Sequence, residues 1–222
     1  MAQLPLALGH RASYGGEDFL VAPCNEAAVA WLDRWPDWPG PGLAIHGPAG
    51  CGKTHIAHVF QAGAAARLLR PGDLEQASPA ALIEGYRACV LDEAPPVPER
   101  PLLHLFNALA EKGGHLLIVS RLPPARWGLG LPDLASRLSA LPAVRIDPPD
   151  DSLVEALLVK LFADRQITVA PGVVAYLTAR LERSFDALLR AVDHLDRESL
   201  ARHRRVSLPL AREIVKQIAA AP

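Results

Sequence analysis

The stretch GPAGCGKT, from Gly47 to Thr54, has the residue types and spacing of a loop that binds phosphate groups. It fits the pattern G-x-x-x-x-G-K-[ST], and glycines let backbone N–H groups converge on phosphate oxygens at the start of a helix. Lys53 would reach the β- and γ-phosphates, and the Thr54 hydroxyl would join a Mg²⁺ shell. The predicted nucleotide contacts are Gly47, Pro48, Ala49, Gly50, Cys51, Gly52, Lys53, Thr54 and His55.

The simpler interpretation of this stretch is a glycine-rich turn that only caps a helix. Nucleotide binding is favoured because the apolar run LAIH precedes the loop and a helix-like segment follows it. Further along, Asp92 and Glu93 end the apolar run ACVLDE. By itself this pair would be better interpreted as a solvated strand end. Beside a phosphate loop it predicts Asp92 as a Mg²⁺ ligand together with Thr54, and Glu93 as the group that polarises a water.

Alternating strands and helices must hold these residues in place. The runs GLAIHG, RACVLDE and HLLIVS read as strands, and helix-like segments cover 26–35, 54–66 and 101–112. This alternation predicts an α/β fold with a parallel sheet covered on both faces. After residue 150 the pattern changes to helices over 152–165, 172–182, 185–196 and 209–219, with no convincing strand among them. We therefore expect a domain boundary near Asp150.

Composition and charge exclude several classes of protein. The chain has 222 residues, 50% of them hydrophobic, and only three cysteines, which are too few and too odd in number for a disulfide framework. Neither a secretory signal nor a membrane-length apolar run is present, so we expect a cytoplasmic protein with no membrane partner. The net charge of −1 lacks the basic excess that binds a phosphate backbone. Direct DNA binding through the basic residues 202–205 is therefore expected to be unlikely.

Two longer stretches resemble a known family, the AAA+ ATPases related to the bacterial replication initiator DnaA. They are FLVAPCNEAAVAWLDRW and GLPDLASRLSALPAVRIDPPDDS, and the resemblance is closer still to the short Hda branch and runs the whole length of the chain. It implies a P-loop AAA+ domain over 17–150, a helical lid over 151–222, and ADP or ATP with Mg²⁺ as cofactors. It also implies that the segment 19–25, including Val21 and Asn25, surrounds the adenine, and that Ser120 is a polar sensor of the nucleotide.

The resemblance gives Arg137 a role that its surroundings in the sequence do not. From the residues alone, Arg137 reads as one half of an ordinary helical ion pair with Asp133. In the family, the matching arginine is a finger inserted into the nucleotide site of a neighbouring subunit, which also implies a possible homo-oligomer. At the family's second sensor arginine this chain has Asp186. Either the lid is displaced or another arginine substitutes, and Arg183 and Arg190, expected on the same helix face, are the candidates. We also expect weak hydrolysis by the protein itself.

The first residues, MAQLPLALGH, contain a second resemblance. The segment QLPLAL is similar to the short peptide by which Hda-like proteins bind the DNA polymerase sliding clamp, which predicts clamp contacts at Gln3, Leu4, Leu6 and Leu8. Pro5 would keep this segment extended and reduce the entropy lost on binding. Residues 1–16 would then form a clamp-binding peptide and linker. The alternative is an N-terminal strand that completes the protein's own core.

Together these observations predict a regulator of replication initiation. A nucleotide-bound AAA+ module, with the sliding clamp, would stimulate ATP hydrolysis on DnaA through Arg137. Because the last helix ends the chain, no DNA-binding domain like that of the initiator is expected. The alternative is an autonomous P-loop ATPase, such as a helicase loader or a small-molecule kinase, that uses Asp92 and Glu93 for its own turnover.

Overall fold

The computed structural model of the protein describes residues 21–202 and 204–220, apart from the side chains of residues 186, 219 and 220. The described residues form two compact units, one up to Asp147 and one from Pro148 onwards. In this part of the chain no helix combines the length and apolar character needed to cross a bilayer.

The first unit contains a parallel sheet of five strands in the order β2-β3-β4-β1-β5. The strands are β1 (Gly42–His46), β2 (Arg67–Leu69), β3 (Ala88–Ala94), β4 (His115–Ser120) and β5 (Ala143–Arg145). The helices are α1 (Glu26–Leu32), α2 (Lys53–Gly63), α3 (Asp73–Gln76), α4 (Pro79–Leu82), α5 (Glu99–Glu111) and α6 (Pro132–Ser139), and a 3₁₀ turn covers Pro124–Arg126.

Side chains of the central strands alternate between two hydrophobic clusters, one on each face of the sheet. Leu43 and Ile45 of β1 belong to one cluster with α1 and α2, whereas Ala44 belongs to the other with α3 to α6. Because both faces are buried, these strands appear in the sequence as continuous apolar runs. The three strands predicted from such runs, β1, β3 and β4, are confirmed, whereas β2 and β5 are not apparent in the sequence pattern.

The predicted helix over 26–35 is too long. Helix α1 ends at Leu32, and the next residues form turns. Pro36 accounts for the difference, because a proline disfavours the helical conformation in the residue before it, here Trp35.

The second unit is helical, with α7 (Asp151–Asp164), α8 (Val173–Thr178), α9 (Phe185–Ala201) and α10 (Leu208–Ala220). Asp150 caps α7 by accepting from the Leu153 N–H at 2.8 Å, and this bond lowers the pKa of its carboxyl group. Ser184 caps α9 in the same way, accepting from the Ala187 N–H at 3.2 Å. A parallel α/β sheet followed by a helical unit confirms the predicted fold class.

Candidate nucleotide-binding site

The candidate phosphate loop joins the carboxyl end of β1 to the first turn of α2. Gly50 and Gly52 have φ angles of 69° and 94°, left-handed values that glycine adopts without strain. A Cβ atom on Gly47 would collide with the carbonyl oxygen of Ile146 and would lie 2.9 Å from Cys51 Sγ. The backbone path therefore requires glycine at all three positions.

Lys53 begins α2, and its ammonium group contacts the loop. Its Nζ donates to the Pro48 carbonyl oxygen at 2.6 Å and lies 3.7 Å from Cys51 Sγ. Burial raises the pKa of the Cys51 thiol against the opposing charge of Lys53, so the thiol stays protonated and fills space inside the loop. Thr54 and His55 are exposed in the first helical turn. A cation thus lies beside a helix N-terminus, an arrangement suited to phosphate.

The carboxyl ends of β3, β4 and β1 lie side by side at this edge of the sheet. Ser120 pairs with His46 of β1 and with Ala94 of β3, and the Gly47 N–H donates to the Ser120 carbonyl oxygen at 3.2 Å. Ser120 is only 2% exposed, and its hydroxyl donates to the Leu122 carbonyl oxygen at 2.7 Å. The fold therefore brings Ser120 next to the loop, with its hydroxyl held by the segment that follows β4.

The two acidic residues at the end of β3 have different surroundings. Asp92 is 7% exposed, and its Oδ1 accepts from the Glu93 N–H at 2.8 Å. Glu93 is exposed, with a φ of 63° where the pairing of β3 with β4 shifts register, and its Oε2 lies 3.9 Å from Arg70 Nε. Such strained non-glycine residues cluster at functional sites. Asp92 is thus buried at the sheet edge and Glu93 faces solvent, and their roles as Mg²⁺ ligand and water-polarising group stay predictions.

The segment expected to surround the adenine is described from Val21 onwards. Val21 is half-buried, and Asn25 is 3% exposed. The side-chain oxygen of Asn25 accepts from the Ala22 N–H at 2.8 Å, and the Cys24 carbonyl oxygen accepts from the Asp147 N–H at 3.1 Å. Asn25 therefore closes a turn that is fixed near the end of the first unit, and contact of this segment with a base stays a prediction.

Basic residues that the sequence analysis did not select surround His46, the residue before the loop. Burial is the main cause that lowers the pKa of His46, and the charges of Arg145, Arg126 and Lys53 lower it further against the opposing charge of Asp147. Arg145 itself pairs with Asp147 at 2.8 Å. No spacing rule singles out such arginines, since Arg126 lies in a 3₁₀ turn and Arg145 ends β5, and only the fold brings these segments together.

Arg137 lies at the opposite edge of the sheet. Helix α6 connects the carboxyl end of β4 to the amino end of β5, so its last turn lies at the amino edge. There Arg137 lines a cavity of about 400 Å³ with Pro39, Pro41 and Pro142, next to the start of β1. The five residues of β1, roughly 16 Å at about 3.3 Å per residue, separate this edge from the phosphate loop. The Arg137 side chain is 43% exposed and is therefore accessible.

In the second unit, one expectation about the lid arginines is wrong. Helix α9 begins at Phe185, so Arg183 precedes it and does not share its face, and Arg183 pairs instead with Asp151 at 2.8 Å. Arg190 is exposed on α9, and the side chain of Asp186 lies outside the described residues. In the basic stretch 202–205, Arg202 is neutralised by Glu213 and Glu198, each at 2.8 Å.

Two further predictions concern the clamp contacts and the metal site. The clamp contacts at Gln3, Leu4, Leu6 and Leu8 lie outside the described residues. Among the residues described, no group of three or more His, Cys, Asp or Glu side chains could hold a metal ion. A Mg²⁺ ion at Asp92 and Thr54 would therefore depend on phosphate oxygens and water for its remaining ligands, which is usual for this ion.

Comparisons with known proteins agree with this architecture. Residues 150–215 match the family model described as "Hda, lid domain". Domain III of the Thermotoga maritima replication initiation protein DnaA is similar over 95% of this chain and 99% of that chain, with a TM-score of 0.81 and 18% identity.

Two further solved structures share the fold. A replication initiator DnaA bound to AMPPCP and single-stranded DNA has a TM-score of 0.69 at 18% identity, over 87% of this chain and 68% of that chain. A point mutant of Thermotoga maritima RuvB has a TM-score of 0.67 at 13% identity, over 89% of this chain and 69% of that chain. At these identities the structural matches establish the fold alone. The family model covers the second unit, which is similar to the Hda lid domain, and the chain as a whole is similar in fold to domain III of DnaA.

Proposed function

We propose that this protein is a nucleotide-bound regulator of replication initiation that stimulates ATP hydrolysis on DnaA. In this proposal Arg137 enters the nucleotide site of the initiator and neutralises charge that develops on the transferred γ-phosphoryl group. A guanidinium supplied in trans in this way is worth about 10³–10⁵ in rate. The N-terminal residues Gln3, Leu4, Leu6 and Leu8 would bind the sliding clamp and so restrict this activity to ongoing replication.

The observation that carries the proposal is the position of Arg137. It is accessible at the amino edge of the sheet, whereas the chain's own phosphate loop follows the carboxyl edge. An arginine at that edge lies away from the loop of its own unit, and its exposed ion pair with Asp133 leaves its charge accessible to another molecule. The same geometry would allow a homo-oligomer in which Arg137 faces the loop of the next copy.

The chain's own site would then hold ADP or ATP as a structural support. The backbone of the loop would bind the α- and β-phosphates, and Lys53 would reach the β- and γ-phosphates when ATP is bound. Thr54 and Asp92 would provide two Mg²⁺ ligands when the ion is bound with the nucleotide. Burial of Asp92 suits this role, because a cation compensates a carboxylate that has little contact with water.

The proposal is tested by comparing the wild type with Arg137→Ala and Arg137→Lys. Hydrolysis of ATP on DnaA is measured with DNA-loaded clamp, and clamp binding and nucleotide binding are measured in parallel. Arg137→Ala should lose stimulation with both binding activities unchanged, and Arg137→Lys should retain only a small part because it lacks the planar fork. Equal loss of binding and stimulation would mean that Arg137 has a structural role instead.

Glu93 favours a second candidate function, an autonomous ATPase. It is exposed beside the buried Asp92 at the carboxyl edge, where it could polarise a water. Substantial turnover by the purified protein alone, abolished by Glu93→Gln, would support a helicase loader or a small-molecule kinase over a regulator. We expect weak turnover instead.

A further inference from the structure

The segment that follows β4 holds one arginine in a fixed position. Pro124 is buried, and Trp127 packs against the hydrophobic cluster that contains α5 and α6. The indole Nε1 of Trp127 donates to the Leu122 carbonyl oxygen at 2.9 Å, the same oxygen that accepts from the Ser120 hydroxyl. Arg126 lies between these anchored residues in the 3₁₀ turn Pro124–Arg126, and its side chain is exposed.

This anchored segment lies near the phosphate loop of the candidate site. The segment starts at Ser120, whose carbonyl oxygen accepts from Gly47 in the phosphate loop. The guanidinium of Arg126 lies close enough to His46, the residue before Gly47, for its charge to lower the pKa of that imidazole together with Lys53. The backbone connection through Ser120, together with the effect of the Arg126 charge on His46, therefore places Arg126 near the loop.

The neighbouring cations are already engaged, but Arg126 is not. Arg145 pairs with Asp147 at 2.8 Å, and Lys53 donates to the Pro48 carbonyl oxygen at 2.6 Å. Within the described residues the Arg126 side chain has no ion pair and no hydrogen bond. A positive charge without a partner among the described residues, on a fixed turn near a phosphate loop, is suited to an anionic group of the ligand.

We propose that Arg126 is a specificity residue of the chain's own nucleotide site, which contacts the terminal phosphate and favours a nucleoside triphosphate over a diphosphate. This inference rests on the proposed binding of nucleotide at Gly47–Thr54. The backbone of the loop would hold the α- and β-phosphates, and Lys53 would reach the β- and γ-phosphates. A second cation at the end of β4, beside Ser120, would meet the γ-phosphate, which a diphosphate lacks. Arg126 would thus make the affinity of this site for nucleotide depend on the presence of a terminal phosphate, so that the site distinguishes ATP from ADP.

The test is the affinity of the full chain for Mg²⁺-AMPPCP and for ADP, measured by calorimetry. Arg126→Ala should weaken binding of the triphosphate analogue about tenfold or more and binding of ADP less than about threefold, since a charge-assisted hydrogen bond of this kind is lost for one ligand only. Arg126→Lys should recover part of the difference. Arg121→Ala is the matched control, because Arg121 is an exposed arginine of the same segment, and it should leave both affinities unchanged.

A second measurement keeps the result interpretable. The pKa of His46, followed by NMR in the protein without nucleotide, should rise in Arg126→Ala and not in Arg121→Ala, which shows that the variant folds and that the charge lay where the structure has it. Equal affinities of wild type and Arg126→Ala for the triphosphate analogue, or an equal loss for both ligands, would overturn the inference while nucleotide binding stands. If the wild type binds neither ligand, the proposed nucleotide site itself is wrong.

Discussion

Arg137 and Asp133 form an ion pair on one face of α6, with Nε 2.9 Å from Oδ1. Both side chains are about half exposed and lie four residues apart, so the pair contributes only about 0.3–0.5 kcal/mol. The guanidinium can therefore leave Asp133 for a phosphate of another molecule at little cost in free energy. The pair holds Arg137 on an accessible face without binding it tightly there.

Replacing Asp133 tests whether the ion pair holds the Arg137 side chain only weakly. Asp133→Asn should change the free energy of unfolding by less than about 0.5 kcal/mol, because the ion pair is exposed. Stimulation of DnaA should be at least as fast as with the wild type, since no carboxylate competes for the guanidinium. Urea denaturation and the hydrolysis assay measure the two effects. A loss of stimulation as large as in Arg137→Ala would mean that Asp133 is needed to orient the arginine.

Gly47→Ala tests the backbone geometry of the phosphate loop. The added Cβ would collide with the Ile146 carbonyl oxygen and approach Cys51 Sγ, so the variant should lose about 2 kcal/mol of stability and most of its affinity for nucleotide. Gly72→Ala is the control, because nothing lies within 4 Å of its added Cβ. That variant should stay within about 0.5 kcal/mol of the wild type. Normal nucleotide affinity in Gly47→Ala would contradict the role of the loop.

The left-handed backbone at Glu93 predicts a conflict between stability and activity. Glu93→Gly should raise the free energy of unfolding by up to about 1 kcal/mol, because glycine adopts a φ of 63° without strain. Glu93→Gln keeps the strain and should leave stability unchanged. Both variants should abolish whatever hydrolysis the protein performs by itself. Thermal unfolding and a turnover assay provide the comparison, and an unstabilised Glu93→Gly would show that the strain is absent.

His115 predicts a pH dependence of stability. Burial lowers its pKa, and its ring packs edge-on against Trp38, with the ring centroids 5.5 Å apart. The unfolded chain therefore binds this proton more readily, so the free energy of unfolding should fall as the pH drops below about 6.5. His115→Gln should lose less stability than the wild type between about pH 7.5 and 5.5. Urea denaturation at the two pH values measures the loss of stability for each protein. If the wild type and His115→Gln lose the same free energy of unfolding, His115 does not contribute to the pH dependence.

The sequence predicts the centre of the sheet better than its edges, for a physical reason. β1, β3 and β4 are buried on both faces and so appear as apolar runs, whereas β2 and β5 are three residues long and partly exposed. Such short segments acquire their strand conformation from pairing with a neighbour, which no local pattern encodes. The start of α9 at Phe185 is different, because Ser184 is a standard N-cap residue and could have excluded Arg183 from the helix.

The candidate site, like the sheet, can be predicted from the sequence only in part. The phosphate loop is contiguous in the sequence, so its spacing alone predicts the chemistry. Arg126 follows β4 and Arg145 is the last residue of β5, and only the parallel pairing of β4, β1 and β5 brings the ends of these strands together. The distance of Arg137 from its own loop is likewise a property of the sheet, since α6 returns the chain to the opposite edge before β5.

The central claim is that Arg137 acts on a nucleotide held by another protein. Its most direct test is the single-turnover rate of hydrolysis of ATP already bound to DnaA, with DNA-loaded clamp and a saturating amount of this protein. Arg100→Ala is the matched control, because Arg100 is exposed near the first turn of α5, and it should stimulate as the wild type does. Arg137→Ala should reduce the stimulated rate by at least about 10³-fold. Stimulation by Arg137→Ala at the wild-type rate would contradict the account.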